Sequence, residues 1–238
     1  MENSLLNYMN KRFGDTSNPK AKLTPNAGPV ITISRQAGCG GLYIAQMLAE
    51  SMDDFGLCKE WQVISKEILQ KSAQELELSP NKVDRLFTTK EHNTFDEVLE
   101  AFNTKMYKSN RVILKTVKEV IKSFAVDGCC IILGRGGEFI TRDIEQSLHI
   151  RLEAPLKWRV DKIAAKRAIS RDEANKQIAE TEMKRQTYRK HYLNKNHPVE
   201  NYDLTINVSA FTPSNVVELI KRSVELKGMM GNTPLTPQ

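Results

Sequence analysis

Residues 29–52 read PVITISRQAGCGGLYIAQMLAESM, and this stretch decides the fold. It begins with a β-branched apolar run, which is typical of a strand buried on both faces. Glycines follow, and glycine adopts backbone conformations that other residues avoid. A helix begins directly after them, because apolar residues recur at three- and four-residue spacing. The turn would present free backbone N–H groups and the positive end of the helix dipole to an anion, most simply a phosphate. The residues that carry this pattern are Val30, Ile31 and Ile33 in the strand, Gly38, Gly40 and Gly41 in the turn, and Ile44, Met47, Leu48 and Met52 in the helix.

The glycine turn departs from the P-loop pattern G-x-x-x-x-G-K-[ST] at three places. Arg35 stands near the first glycine, Gly41 takes the place of the lysine, and Leu42 and Tyr43 stand where a magnesium-binding hydroxyl belongs. A strand, a glycine turn and a helix without the lysine also occur as a tight connection in α/β proteins. This stretch alone therefore leaves a phosphate site and a tight connection open.

The composition is that of a globular protein. The 238 residues can hold one large α/β domain or two small ones, with 40% hydrophobic and 27% charged residues. No apolar run approaches the roughly 20 residues of a membrane span, and the polar start lacks the apolar core of a signal peptide. We expect a cytoplasmic protein without a membrane partner. It would consist of an N-terminal extension (1–28), one domain (29–226) and a disordered tail (227–238).

The four cysteines predict no metal site. Cys39, Cys58, Cys129 and Cys130 lack paired C-x-x-C spacing and have no histidines at ligand offsets. Adjacent Cys129 and Cys130 fit a strand as small residues. Cys39 lies in the glycine turn, where a reactive thiol is the less favoured alternative to a plain turn residue.

The positive charge is concentrated in one segment. A net charge of +6 fits nucleic acid, an anionic membrane surface or phosphorylated ligands as partners. Residues 157–195 carry twelve Lys or Arg against five Asp or Glu. Ser170 and Glu173 form a capping box that begins a helix, and Arg185 and Arg189 follow one turn apart on one face. The segment predicts a helical hairpin that either clamps phosphate or presents a solvated charged face.

A second glycine turn follows another buried strand. Residues 129–133 are apolar and lead into GRGG at residues 134–137. Ligands bind at the carboxyl ends of parallel strands, so Arg135 would face the same pocket as the first turn. Its planar guanidinium can grip a phosphate through two hydrogen bonds, although an arginine in a surface turn is usually just solvated.

Strands alternate with helices along the rest of the chain. Thr212-Pro213 has the pattern of a helix start, with an N-cap followed by proline. The alternation predicts a three-layer α/β/α sandwich with a parallel sheet. The remaining predicted strands are residues 61–64, 148–152 and 204–208, and the remaining predicted helices are residues 66–75, 80–87 and 94–124.

Five motifs in order resemble the cytidylate kinase-like proteins, relatives of bacterial cytidylate kinase. They are ITISRQAGCGG, IILGRGGEFI, LHIRLEAPLKWRV, ETEMKRQTYRKHYL and YDLTINVS, and the resemblance runs over residues 30–222. It implies a P-loop NTPase-like fold with a helical lid at about residues 157–195. It also implies a nucleoside monophosphate kinase, a phosphotransferase that uses ATP and Mg²⁺ and takes nucleotides as substrates.

The resemblance assigns roles to individual residues. Donor phosphates would lie against the first turn, the acceptor nucleotide against the second, and lid arginines over the transferring group. Mg²⁺ would be held largely by phosphate and water, without a protein ligand set. The residues implied are Arg35, Gly38, Cys39, Gly40 and Gly41 for the donor, Ser65, Gly134, Arg135 and Glu182 for the acceptor, and Arg159, Arg185 and Arg189 for catalysis.

Three departures from the family pattern bear on activity. Gly41 replaces the lysine that would bridge the donor phosphates, and Arg35 is the residue that could substitute for it. Leu133 and Ser65 replace aspartates that could orient metal or sugar. A catalytically weak or inactive nucleotide-binding protein with a regulatory role therefore stands as the alternative to an enzyme.

Nucleic-acid binding through the basic hairpin is a third, disfavoured alternative. It would place aromatic side chains among the cations, so that bases stack on them. Only Trp158, Tyr188 and Tyr192 offer such positions.

Overall fold

The computed structural model describes residues 27–53, 58, 60–65, 118, 121–193 and 200–229. These residues form a five-stranded sheet in the order β2-β3-β1-β4-β5, in which every neighbouring pair is parallel. The predicted α/β fold with a parallel sheet is thereby confirmed. The strands are β1 Val30–Arg35, β2 Gln62–Ile64, β3 Cys130–Leu133, β4 Ser147–Glu153 and β5 Leu204–Asn207. The helices are α1 Gly41–Asp53, α2 Gly137–Ile140, α3 Leu156–Arg167, α4 Arg171–Lys190 and α5 Pro213–Leu226, and residues 121–127 are also helical.

Strand β1 lies at the centre of the sheet because its β-branched residues are suited to burial on both faces. Val30 pairs with Cys130 of β3 on one side and with Ser147 of β4 on the other. Ile31 and Ile33 are fully buried in one cluster with apolar residues of α1 and α5. The chain builds β2 and β3 on one side of β1 and then crosses to build β4 and β5 on the other. The carboxyl end of β1 is therefore the position at which open α/β sheets bind ligands.

The short helix α2 covers the opposite face of the sheet beside β1. A Cβ atom at Gly137 would lie 2.9 Å from Cγ2 of Ile132 and 3.3 Å from Cγ2 of Thr32, so glycine permits this close approach. On the same face Thr32 Oγ1 lies 2.9 Å from Nδ1 of His149. Burial lowers the pKa of His149 to about 4. Helices thus cover both faces of the sheet.

Two predicted helix starts are confirmed by their caps. The Ser170 hydroxyl accepts a hydrogen bond of 3.1 Å from the Glu173 N–H at the start of α4. The Thr212 hydroxyl accepts one of 3.2 Å from the N–H of Asn215, and proline follows as the first residue of α5. Each cap satisfies a backbone donor that the helix itself leaves unpaired.

The prediction that Cys129 is a small strand residue is wrong. Strand β3 begins at Cys130, whereas Cys129 has a φ of 51° and forms a disulfide with Cys58. The bond joins the segment after α1 to the start of β3. Local spacing gave no sign of it, because the two cysteines are 71 residues apart.

Several predictions fall outside the described residues. They are the N-terminal extension up to residue 26, the helices at 66–75 and 80–87, most of the helix at 94–124, and the tail from residue 230. Met229 lies within the predicted tail (227–238), yet it is 1% exposed and packs in the core cluster, so the packed chain reaches this residue. Within the described part of the chain, no helix combines the length and the apolarity needed to cross a bilayer.

Candidate functional site

The first glycine turn joins β1 to α1 and leaves one position open. The Cys39 N–H donates to the Gln36 carbonyl within the turn, and the Ile44 N–H donates to the Gly40 carbonyl as α1 begins. Gly38 and Gly40 have φ values of 92° and 69°, in the region that favours glycine. Gly40 is exposed, and a Cβ atom there would meet no described atom within 4 Å. The turn therefore leaves space beside the N-terminus of the 13-residue helix α1.

Cys39 contributes backbone to this turn rather than a reactive thiol. Its side chain is 3% exposed and belongs to the core cluster. Burial raises the pKa of the Cys39 thiol to about 11, although the nearby Arg159 opposes the shift. Because the thiolate is the nucleophile, a thiol that stays protonated near neutral pH is unreactive. The structure thus gives no support to the reactive-thiol alternative.

Two side chains of helix α4, which follows the first turn by about 145 residues in the chain, hydrogen-bond to the backbone of that turn. Glu182 Oε1 accepts a hydrogen bond from the Ala37 N–H. One turn further along α4, Arg185 Nη1 donates a hydrogen bond of 2.9 Å to the Arg35 carbonyl, and it lies 4.0 Å from Glu182 Oε1. The two side chains therefore hold the backbone on both sides of Gln36. Hydrogen bonds to charged groups of this kind contribute more than neutral ones do.

Arg159 lies in a setting different from the one expected of a lid arginine. It is 7% exposed, its Nε donates to the Ala154 carbonyl at 2.9 Å, and its Nη1 donates to the Ala37 carbonyl at 3.2 Å. A Cβ atom at Gly38 would lie 3.0 Å from Cβ of Arg159. The arginine therefore fastens the turn to α3, and in this arrangement it is a positioning residue.

The second glycine turn lies beside the first, and Arg35 spans the gap between them. Gly134 follows β3, and its N–H donates to the Ile33 carbonyl of β1 at 3.0 Å. A Cβ atom at Gly134 would overlap Nη1 of Arg35. Arg135 has a φ of 56°, and its guanidinium carbon lies 5.4 Å from the ring centre of Tyr188 on α4. Both glycine turns and α4 therefore meet at the carboxyl ends of β1 and β3.

A tyrosine at the end of α4 closes over the second turn. A Cβ atom at Gly136 would lie 2.6 Å from Cε2 of Tyr192. The ring of Tyr192 stacks on Phe139 at 5.7 Å between ring centres, and its hydroxyl lies 3.2 Å from that of Tyr188. The contact between the basic hairpin and GRGG thus involves the rings of Tyr188 and Tyr192, which the sequence suggested only as stacking positions for bases.

Arg189 pairs with Glu200. Its Nε lies 2.6 Å from Oε1 of Glu200. Glu200 also accepts a hydrogen bond of 2.7 Å from the Tyr202 hydroxyl, and its Oε2 lies 3.9 Å from Nη1 of Arg151 on β4. Arg189 therefore anchors the end of α4 to the sheet.

Glu138 joins the polar network that Arg189, Glu200, Tyr202 and Arg151 form. It is 3% exposed, and its Oε1 lies 3.2 Å from the Tyr202 hydroxyl. Burial raises the pKa of Glu138, which favours the protonated carboxyl. The Tyr202 hydroxyl lies within hydrogen-bond distance of both Glu138 and Glu200, and its single proton can serve only one of the two carboxyl groups at a time. This network was not predicted from the sequence, where its signal is a single charged residue in each of two otherwise uncharged runs, GGEFI and LHIRL.

Ser65 lies at the strand end next to the second turn. It follows Ile64 of β2, which pairs with Ile132 of β3 two residues before Gly134, and it is fully buried. A cavity of about 330 Å³ opens between α3 and α4, and none of the predicted site residues lines it. No group of three His, Cys, Asp or Glu in the described ranges is placed to hold a metal ion.

Comparison with known proteins agrees with the motifs. A model of the cytidylate kinase-like family matches residues 30–210. Cytidylate kinase of Pyrococcus horikoshii is 33% identical over 105 residues, which are 42% of this chain and 52% of that protein. Uronate isomerase of Corynebacterium glutamicum is 30% identical over 122 residues, which are 50% of this chain and 22% of that protein. The chain therefore spans about half the length of the first relative and less of the second.

A solved structure shares the fold. An uncharacterized protein from Eubacterium ventriosum superimposes with a TM-score of 0.57 at 16% sequence identity. The superposition covers 82% of this chain and 98% of that one. At this identity the likeness concerns the fold alone.

Proposed function

Because the chain belongs to the cytidylate kinase-like family, we propose that it is a nucleoside monophosphate kinase that transfers a phosphoryl group from ATP to a nucleotide acceptor. The observation that carries the proposal is the meeting of both glycine turns with α4. Arg35 reaches from the first turn to Gly134 of the second, and Arg185 of α4 bonds to the Arg35 carbonyl. Two polyanionic substrates that exchange a phosphoryl group need such an arrangement of adjacent cationic turns.

The donor side of the proposed site is the first turn. Gly40 is exposed with open space beside it, and the free N–H groups at the start of α1 suit a phosphate. The residues present therefore fit the phosphates of ATP, and Arg35 supplies a cation packed against Gly41 at the start of α1. Mg²⁺ would be held by phosphate oxygens and water. When bound, Mg²⁺ neutralises charge that develops on the phosphate oxygens.

The acceptor side of the proposed site is the second turn. Gly134, Arg135 and Gly136 have φ values of 76°, 56° and 69°. Arginine rarely adopts this region, and strained residues of this kind concentrate at functional sites. The turn presents the Arg135 side chain at the end of β3, where its guanidinium can grip a monophosphate. Ser65 remains a proposed acceptor contact at the neighbouring strand end.

Helix α4 would align the reacting groups. Glu182 and Arg185 fix the backbone of the first turn, and Arg185 lies close enough to the meeting point to stabilise negative charge in the transition state. Phosphoryl transfer needs little covalent participation by the protein, since alignment and cations on the equatorial oxygens supply most of the acceleration. In this scheme Arg159 acts by holding the first turn in position, and Arg189 acts by holding the end of α4 in position. Exclusion of water by the helix would prevent hydrolysis of ATP.

A catalytically weak or inactive nucleotide-binding protein is the second candidate. It is favoured by one specific observation: all three arginines that the resemblance implies for catalysis are held in contacts with the protein. Arg159 and Arg185 bond to backbone carbonyls, and Arg189 pairs with Glu200. Loss of a single charged contact at the reacting phosphate costs on the order of a hundredfold in rate.

Turnover decides between the two candidates. The full-length protein is incubated with ATP, Mg²⁺ and each nucleoside monophosphate in turn, and the formation of ADP and of the nucleoside diphosphate is measured. We expect both products to form in equal amounts with one preferred acceptor. Nucleotide-dependent thermal stabilisation without turnover for any acceptor would refute the kinase and establish the nucleotide-binding alternative. The absence of both would refute each candidate.

A further inference from the structure

We propose that Arg35 supplies the cation that a P-loop takes from a lysine at the position of Gly41, and that it serves the donor and acceptor phosphates together. In this exchange the positive charge comes from residue 35, and glycine at 41 leaves room for the Arg35 stem. The inference rests on the proposed function and deepens it. It assigns one guanidinium to both substrates, whereas the resemblance placed Arg35 on the donor alone.

The stem of Arg35 occupies the space that a side chain at position 41 would need. A Cβ atom at Gly41 would lie 3.0 Å from Cγ, 3.3 Å from Cδ and 3.4 Å from Cβ of Arg35. The first of these distances is shorter than an ordinary van der Waals contact, and it involves the inner part of the side chain rather than its mobile end. Gly41 is itself buried at the start of α1. A side chain at position 41 therefore competes for space with the Arg35 stem, and one of the two has to shift by a few tenths of an ångström.

The guanidinium of Arg35 lies at the second turn. Its Nη1 occupies the position that a Cβ atom of Gly134 would take. Gly134 follows β3 and hydrogen-bonds to Ile33 of β1, so the guanidinium bridges the ends of two adjacent strands. A lysine at position 41 would begin from α1, on the far side of the Arg35 stem. The replacement thus moves the positive charge toward the proposed acceptor turn.

The backbone of Arg35 is held in place by two sets of contacts. Its carbonyl accepts the hydrogen bond from Arg185, and Arg35 pairs with Leu152 in the register of β1 and β4. A planar guanidinium offers five N–H donors in a fixed fork, whereas an ammonium is a point charge on a flexible stem. A guanidinium fork between two turns can contact oxygens of both phosphates. Arg35 forms no covalent bond and transfers no proton in this role.

A stability cycle tests the steric part of the pair without any substrate. The variants are Gly41→Ala, Arg35→Ala and the double variant, and urea denaturation gives the free energy of unfolding of each. We expect Gly41→Ala to lower stability in the wild-type chain but to be tolerated in the Arg35→Ala chain, because the opposing Cγ is gone. Equal effects of Gly41→Ala in both chains would overturn the exchange.

Ligand measurements test the shared cation. Calorimetric titration measures binding of ATP and of the preferred monophosphate to the wild type, Arg35→Ala, Arg35→Lys and the double variant Arg35→Ala with Gly41→Lys. We expect Arg35→Ala to weaken both ligands at least tenfold, Arg35→Lys to recover one of them only in part, and the double variant to recover ATP but not the monophosphate. Arg222→Ala, on the exposed face of α5, is the matched loss of charge and should leave both affinities unchanged.

The outcomes separate this inference from the function beneath it. A wild type that binds neither ligand would refute the proposed function and the inference with it. A wild type that binds both, with an Arg35→Ala variant of equal affinity, would overturn the inference alone. Weakening of ATP without weakening of the monophosphate would overturn the claim that one guanidinium serves both substrates.

Discussion

Replacement of Arg159 by alanine separates a structural role from a catalytic one. The guanidinium donates two hydrogen bonds, to the Ala154 and Ala37 carbonyls, and both acceptors belong to buried residues. A hydrogen bond from a charged donor contributes about 1.5–3 kcal/mol, and relief of the buried charge offsets part of the loss. We therefore expect Arg159→Ala to lower the free energy of unfolding by about 3 kcal/mol. For a domain of this size that corresponds to a fall in Tm of roughly 6–12 °C.

Urea denaturation, followed by the fluorescence of Trp61 and Trp158, measures the change. The matched control is Arg167→Ala at the end of the same helix, where the guanidinium bonds to Gln177 in an exposed position. An exposed substitution of that kind should stay within about 0.5 kcal/mol of the wild type. An Arg159→Ala protein of unchanged stability whose kcat falls a hundredfold would refute the reasoning, because the arginine would then act on the reacting phosphate.

The remaining predictions concern the second turn, helix α4 and the buried network. Arg135→Ala should raise the acceptor KM about tenfold or more, whereas Arg185→Ala should mainly lower kcat. Steady-state kinetics measures both effects. Unchanged constants in both variants would show that the site is misplaced. Gly136→Ala should lower the Tm, because residue 136 has a φ of 69° and its new methyl would press on the Tyr192 ring. If Gly136→Ala lowers the Tm equally in a Tyr192→Ala protein, backbone strain alone explains the loss. Burial raises the pKa of Glu138 above its usual 4.5, so the folded state holds a proton that the unfolded state loses, and stability should fall as pH rises from about 4.5 through the raised value. Glu138→Gln should flatten this part of the pH profile of the free energy of unfolding, and an unchanged slope would contradict the assignment.

The sequence predicted the elements whose causes are local. The apolar run of β1, the glycines after it and the caps at Ser170 and Thr212 each specify structure through neighbours within a few residues. Alternation of strands with helices then restricts the fold to an open α/β sheet, since parallel strands require crossover connections. The meeting of two glycine turns at one sheet edge followed from the same rule.

Only the tertiary structure decided what each charged side chain does. Arg185 and Glu182 reach backbone atoms 150 and 145 residues away in the chain, and Arg159 turns inward to a carbonyl 122 residues away. Spacing along a helix indicates which residues share a face, but the crossing of that helix over the sheet determines whether the face meets solvent, a carbonyl or a phosphate. The competition for space between Arg35 and a side chain at position 41 has the same origin, because the tight contact of 3.0 Å depends on where the end of β1 lies against the start of α1. Pattern and periodicity carry no information on distances of that kind, which arise when distant segments pack together.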